Sequence, residues 1–102
     1  MKEKVCPVSK FTSMVGGKWK LLIIDRLRKK ESIRFGFLAA SIDNISRKVL
    51  TDQLKELVKD GLVVREQYNE IPPRVEYSLT NKGKGLCSVF KSIEEWINVK
   101  QT

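Results

Sequence analysis

"SRKVLTDQLKELVKDGL", Ser46 to Leu62, carries two patterns at once. Leu50, Leu54, Leu57 and Val58 recur at helical spacing and mark an inner face. Opposite them, Lys48, Thr51, Asp52, Lys55 and Lys59 form a polar face of mixed donors and acceptors, entered through Ser46 and Arg47. The spacing predicts a helix over about residues 46–60. Ser46 is its expected N-cap, with Asn44 the competing candidate. Gly61 stands where a left-handed C′ residue belongs, and Leu62 beyond it can pack back on Leu57 in a Schellman ending.

Downstream, the apolar period changes from helical to two. Leu62 and Val64 alternate with Val63 and Arg65, and Val75, Tyr77 and Leu79 alternate with Arg74, Glu76 and Ser78. Both runs read as half-buried strands of one hairpin, over about residues 62–79, joined by the stiff loop "NEIPP". Thr80 then caps a terminal helix reaching about residue 98, with an apolar stripe of Leu86, Val89, Phe90, Ile93, Trp96 and Ile97.

Upstream, Val8, Phe11, Met14 and Val15 mark a short helix from Pro7 to about Val15, ended by Gly16 and Gly17. A second helix is expected from about Lys18 to Lys29, with Trp19, Leu22, Ile23 and Leu27 inside. Ile33 suits a short extended piece, and Phe35 to Ser41 a third helix burying Phe35, Leu38 and Ala39. Asp43-Asn44 is turn chemistry. Four helices, a hairpin and a last helix in that order make an α+β, mostly helical chain. The expected architecture is a winged helix-turn-helix with added N- and C-terminal dimerisation helices, a single domain over residues 1–102.

Charge points the same way. Lys and Arg number 20 against 12 Asp and Glu, a net charge of +8, which favours a polyanionic partner. The excess gathers at Arg26, Arg28, Lys29, Lys30 and Arg34. Histidine is absent and the only cysteines are Cys6 and Cys87, so neither an ordinary His/Cys metal site nor a Ser-His or Cys-His nucleophile pair can be assembled. No enzyme activity and no cofactor are expected. "GGKWK", Gly16 to Lys20, fails as a phosphate loop because Thr12 and Trp19 occupy the positions that need Gly and Ser or Thr. The N-terminus lacks the apolar run of a signal peptide, and the apolar block Leu21 to Ile24 is too short to span a bilayer. A cytoplasmic protein without membrane contact is expected.

A helix that enters the DNA major groove uses its first turns, where side chains reach base edges and phosphates. Ser46, Arg47, Lys48, Thr51, Asp52 and Lys55 supply suitable groups. The duller reading is a solvated face with ion pairs such as Asp52 with Lys48 or Lys55. Arg65 and Arg74 flank the hairpin tip and suit a phosphate or a narrow minor groove, and Arg34 a phosphate. The competing arrangement for the hairpin arginines is pairing with Glu66, Glu70 or Glu76. The large apolar residues Phe11, Met14, Phe90, Ile93, Trp96 and Ile97 on the terminal helices either complete the chain's own core or meet a second copy. The dimer is the preferred reading, since a two-fold dimer matches a palindromic site on double-stranded DNA. Cys6 starts the first helix between Lys4 and Lys10, a setting that favours thiolate, although a plain packed thiol is the alternative.

"CPV", "GGKW", "RFG", "ISRKVLTDQLKELVKDGLV", "PPRVEYSLT" and the later "EEW" together resemble the HxlR-type transcriptional regulators, small winged-helix proteins related to the MarR group. The likeness runs from about Cys6 to Trp96. It implies a homodimer that binds operator DNA as repressor or activator, with Ser46–Lys59 in the major groove and "NEIPPR" beside it. It also implies that Cys6 matches the cysteine some members use to sense oxidants, quinones or other electrophiles, so an oxidant or small-molecule effector is expected. The chain departs from the pattern at "ESI" before Arg34-Phe35, at "SIDNIS", and at Phe37, Val49 and Asn69. These departures bear on wing shape and operator sequence, not on fold. The alternative of a different class is a winged-helix module that binds an acidic protein partner without reading DNA.

Overall fold

The computed structural model describes residues 6–99. Its elements are α1 (Pro7–Val15), α2 (Lys20–Leu27), β1 (Ile33–Arg34), α3 (Phe35–Ser41), α4 (Arg47–Lys59), β2 (Val63–Tyr68), β3 (Arg74–Leu79), α5 (Asn81–Lys84) and α6 (Cys87–Ile97). The strands form an antiparallel sheet in the order β1-β3-β2. Val63 pairs with Leu79 at the base of the hairpin and Tyr68 with Arg74 at its tip. The short piece at Ile33 is a third strand, with Ile33 opposite Tyr77 and Arg34 opposite Glu76. This is a winged helix-turn-helix.

The core gathers under α4. Leu50, Leu54 and Leu57 are fully buried and meet Ile23, Ile24 and Leu27 from α2, Leu38 from α3, and Tyr77 and Leu79 from β3. Both ends of α4 are built as its sequence indicates. Ser46 is the N-cap, its hydroxyl accepting from the Val49 N–H (3.0 Å). At the other end the Leu62 N–H donates to the Leu57 carbonyl (3.0 Å) and the Gly61 N–H to that of Val58 (3.0 Å), with Gly61 at φ +76°. That is a Schellman ending, and only glycine takes that backbone without strain.

Several expectations need correction. The second helix starts at Lys20, and its inner stripe is Lys20, Ile23, Ile24 and Leu27, while Leu22 faces outward. Lys20 is 8 % exposed because its ammonium bonds Glu56 Oε1 of α4 at 3.0 Å, so a charged residue occupies an inner position. In the first wing strand Val63 is buried and Val64 exposed, the reverse of the expected phase. Leu62 still belongs to the Schellman turn, so the strand counts from Val63 and then leaves the core.

The terminal helix is also broken in two. Thr80 caps only α5, accepting from the Gly83 N–H (3.0 Å) and donating to the Gly61 carbonyl (2.6 Å). Gly83 lies so close to the Leu62 carbonyl that a Cβ there would collide with it. The chain then turns through Gly85 into α6. No helix among the described residues is long and apolar enough to cross a membrane.

The terminal helices sit differently from the rest. α1 buries only Val15 and α6 only Phe90. Phe90, expected at a dimer interface, is 8 % exposed and belongs to the core of its own chain, and Phe11 and Met14 lie half-buried against that core. By contrast Ile93, Trp96 and Ile97 stay exposed, Trp96 at 78 %. The Cα radius of gyration is 15.6 Å, above the roughly 13 Å of a compact chain near this length.

Candidate nucleic-acid interface

The outer side of α4 presents Arg47, Lys48 and Lys55 to solvent, with Thr51 and Asp52 half-exposed. Its first turn is fixed by the Ser46 cap and by Arg47, whose guanidinium lies 5.5 Å from the centre of the Phe35 ring. Phe35 in turn leans on Tyr77, ring centres 6.5 Å apart, so α3, α4 and the sheet share one aromatic joint. The Thr51 hydroxyl donates to the Arg47 carbonyl (2.8 Å), leaving its oxygen as an acceptor. Lys48 and Asp52 form an ion pair at 2.8 Å, the pairing that competes with a groove role for both. The Lys48 ammonium's hydrogen bond and charge hold the Asp52 carboxyl below its ordinary range. The pair is exposed, so a stronger partner can displace it at little cost. Among the described residues Arg47 and Lys55 have no carboxylate within ion-pair distance.

The wing is organised by Arg74. Its guanidinium bonds Glu70 Oε2 at 2.8 Å and Glu76 Oε2 at 3.0 Å, and lies 4.0 Å from the centre of the Tyr68 ring. Arg74 thus takes the carboxylate pairing that competes with a phosphate role. Two carboxylates already neutralise it, and it acts as the strut that closes the hairpin tip. Among the described residues Arg65 meets only Gln67 Oε1 at 3.4 Å, and Arg34 reaches Glu76 only at 4.0 Å, so both remain open to another anion. The wing tip itself is Ile71, 102 % exposed.

The basic cluster after α2 is less free than its sequence suggests. Asp25 bonds Arg26 and Arg28 at 2.8 Å each and lies 3.7 Å from Lys29, while Arg28 also bonds Glu94 of α6 at 2.6 Å. Burial opposes ionisation of Asp25, but the Arg28 hydrogen bond and the charges of Lys29, Arg28 and Arg26 outweigh it and hold its carboxyl low.

Cys6 is exposed and stands at the N-cap of α1. Its side chain makes no cap bond of full hydrogen-bond geometry, yet the Ser9 and Val8 backbone N–H groups and the Ser9 hydroxyl lower its thiol pKa. Lys4 lies outside the described residues. Cys87 is half-buried on α6.

Ile71 and the lysine at the inner face of α2 carried no sequence signal of their own, and Phe35 read only as an inner residue of α3. Only contacts across elements reveal them. Arg34, Thr51, Lys55, Arg65 and Arg74 are brought together around the groove between α4 and the wing, whereas Ser46, Arg47, Lys48 and Asp52 do not line it.

The model of the HxlR-like helix-turn-helix family matches residues 14–101. An HTH-type transcriptional regulator of Halalkalibacterium halodurans is 48% identical over 84 residues, covering 82% of this chain and 74% of that protein. A solved MarR-family transcriptional regulator from Porphyromonas gingivalis W83 superposes with a TM-score of 0.87 at 40% identity, covering 97% of this chain and 98% of that one. The redox regulator HypR in its oxidised form gives a TM-score of 0.83 at 36% identity, covering 95% and 99%. The chain belongs to the HxlR-like helix-turn-helix family of transcriptional regulators.

Proposed function

We propose that this chain is a homodimeric, sequence-specific regulator that inserts the N-terminal half of α4 into the major groove of operator DNA. The observation that carries this is α4 itself. Its inner leucines lock it to the core while Arg47 and Lys55 face solvent and Thr51 and Lys55 line the side toward the wing. Ser46, Lys48 and Asp52 meet the rims of the DNA major groove, Arg47 and Thr51 read base edges, and Arg34, Lys55 and Arg65 hold phosphates. The second copy docks on Ile93, Trp96 and Ile97, whose exposure in one chain is otherwise unexplained. Anisotropy titrations test the reading, using the promoter upstream of the chain's own gene against a scrambled duplex. Preference for the promoter by at least about a thousandfold supports it, and equal binding of both duplexes contradicts it.

The same reading assigns Cys6 a sensing role. The helix-start N–H groups that lower its pKa favour the reactive thiolate, and HypR is named a redox regulator. Modification of Cys6 would shift α1, and with it the spacing of the two α4 helices. Diamide treatment should weaken promoter binding by wild type and spare Cys6→Ser. Unchanged binding by treated wild type would reject the sensor, and equal loss in both proteins would move it to another residue.

A further inference from the structure

Arg47 opens α4 immediately after the Ser46 cap. A cation there faces the positive end of the helix dipole, so its own helix does not hold it. The first turn carries no acidic residue to offset the charge. Among the described residues no carboxylate lies within ion-pair distance of it either. What its guanidinium meets is the ring of Phe35, the first residue of α3, with 5.5 Å from the ring centre to the guanidinium carbon.

Arg28 and Arg74 also lie over rings, but their situation differs. Arg28 over Phe90 bonds Asp25 and Glu94, and Arg74 over Tyr68 bonds Glu70 and Glu76, so their N–H donors are engaged within the fold. Arg47 has the ring alone. Attraction to a ring face draws on the positive charge and leaves the guanidinium N–H donors available. The ring is itself fixed. Phe35 is half-buried against the core, and its centre lies 6.5 Å from that of the buried Tyr77.

We infer that Phe35 is a positioning residue for Arg47, and that through this pair the chain reads a guanine. The inference rests on the DNA-binding reading and deepens it. An unanchored arginine at an exposed helix end samples many rotamers, and fixing one of them on binding costs entropy. The Phe35 ring narrows that choice before the duplex arrives. The donors it leaves free match O6 and N7 on the major-groove edge of a guanine.

The test selects duplexes from a random pool with the full chain and its variants, each checked for folding by circular dichroism. Wild type should enrich a guanine at a position where Arg47→Ala loses the preference. Phe35→Leu should weaken that preference roughly two- to fivefold and leave the other positions unchanged. Phe35→Tyr, which keeps a ring, should retain it. Adding Phe35→Leu to Arg47→Ala should change nothing further at that position. A loss spread over all positions, one that persists in the Arg47→Ala background, or enrichment of a base other than guanine would overturn the inference. A second readout needs no DNA. In the free wild-type protein the Phe35 ring current should shift the Arg47 side-chain proton resonances upfield, and Phe35→Leu should abolish the shift. Absence of the shift in wild type overturns the positioning whatever the duplexes do. A shift present in a wild type that enriches no sequence overturns the DNA reading, and the guanine assignment with it, while the contact itself stands.

Discussion

The half of the molecule around α4 and the half formed by α1 and α6 have similar apolar patterns and opposite fates. In α4, Leu50, Leu54 and Leu57 are buried within the chain. In α6, the stripe of Phe90, Ile93, Trp96 and Ile97 buries its first member and leaves the rest in solvent. Helical periodicity specifies a face but not what covers it. In α4 the cover is α2, α3 and the sheet. In α6 the proposed cover is another copy, with Arg28 gripping its Glu94 and lying 4.9 Å from the Phe90 ring centre to hold the helix in place.

The largest expected effect breaks the first half. Leu57→Ala should destabilise the chain by about 2–5 kcal/mol, seen as a lower urea midpoint. Trp96→Ser should leave the fold standing and instead yield monomers in sedimentation at micromolar concentration. A monomeric wild type that still bound a palindrome tightly would dissolve the contrast between the halves.

Within α4, Arg47→Ala should lose about 1–3 kcal/mol on the preferred sequence and relax base choice at one position. Arg34→Ala should weaken all duplexes alike and reduce the salt slope by about one phosphate. Equal loss on specific and random DNA would move Arg47 to the phosphate-binding group. Smaller again, Ser46→Ala removes the cap that fixes the first turn of α4. It should lower thermal stability by about 1 kcal/mol, read by calorimetry.

The smallest effect concerns the link between α2 and α6. Asp25 has its folded-state pKa lowered from 3.8. Its stabilisation is therefore present above the unfolded value and is lost as pH falls through the folded one. Wild-type melting temperature should drop below about pH 4, and Asp25→Asn should flatten that drop.

The sequence made α4 legible because cap, stripe and Schellman ending all agree within seventeen residues, Ser46 to Leu62. The order of helix, turn, helix and hairpin was legible for the same reason. What escaped depends on contacts between distant elements. Lys20 occupies an inner position through Glu56, thirty-six residues away, and so hid the phase of α2. The break between α5 and α6 escaped too, since the closeness of Gly83 to the Leu62 carbonyl appears only in the fold. For Arg74 the sequence left an outside anion and a carboxylate partner both open, and only the pairing of β2 with β3 and the fold of the wing tip bring Glu70 and Glu76 to it. The groove was invisible for a similar reason, since its walls are separate in sequence.

Selection of duplexes from a random pool by the full-length chain, followed by hydroxyl-radical footprinting, tests the central claim most directly. A dimer reading DNA through α4 should enrich an inverted repeat whose two protected centres lie about 34–36 Å apart, or a multiple of that. Enrichment of a single asymmetric site, or no enrichment at all, would contradict it.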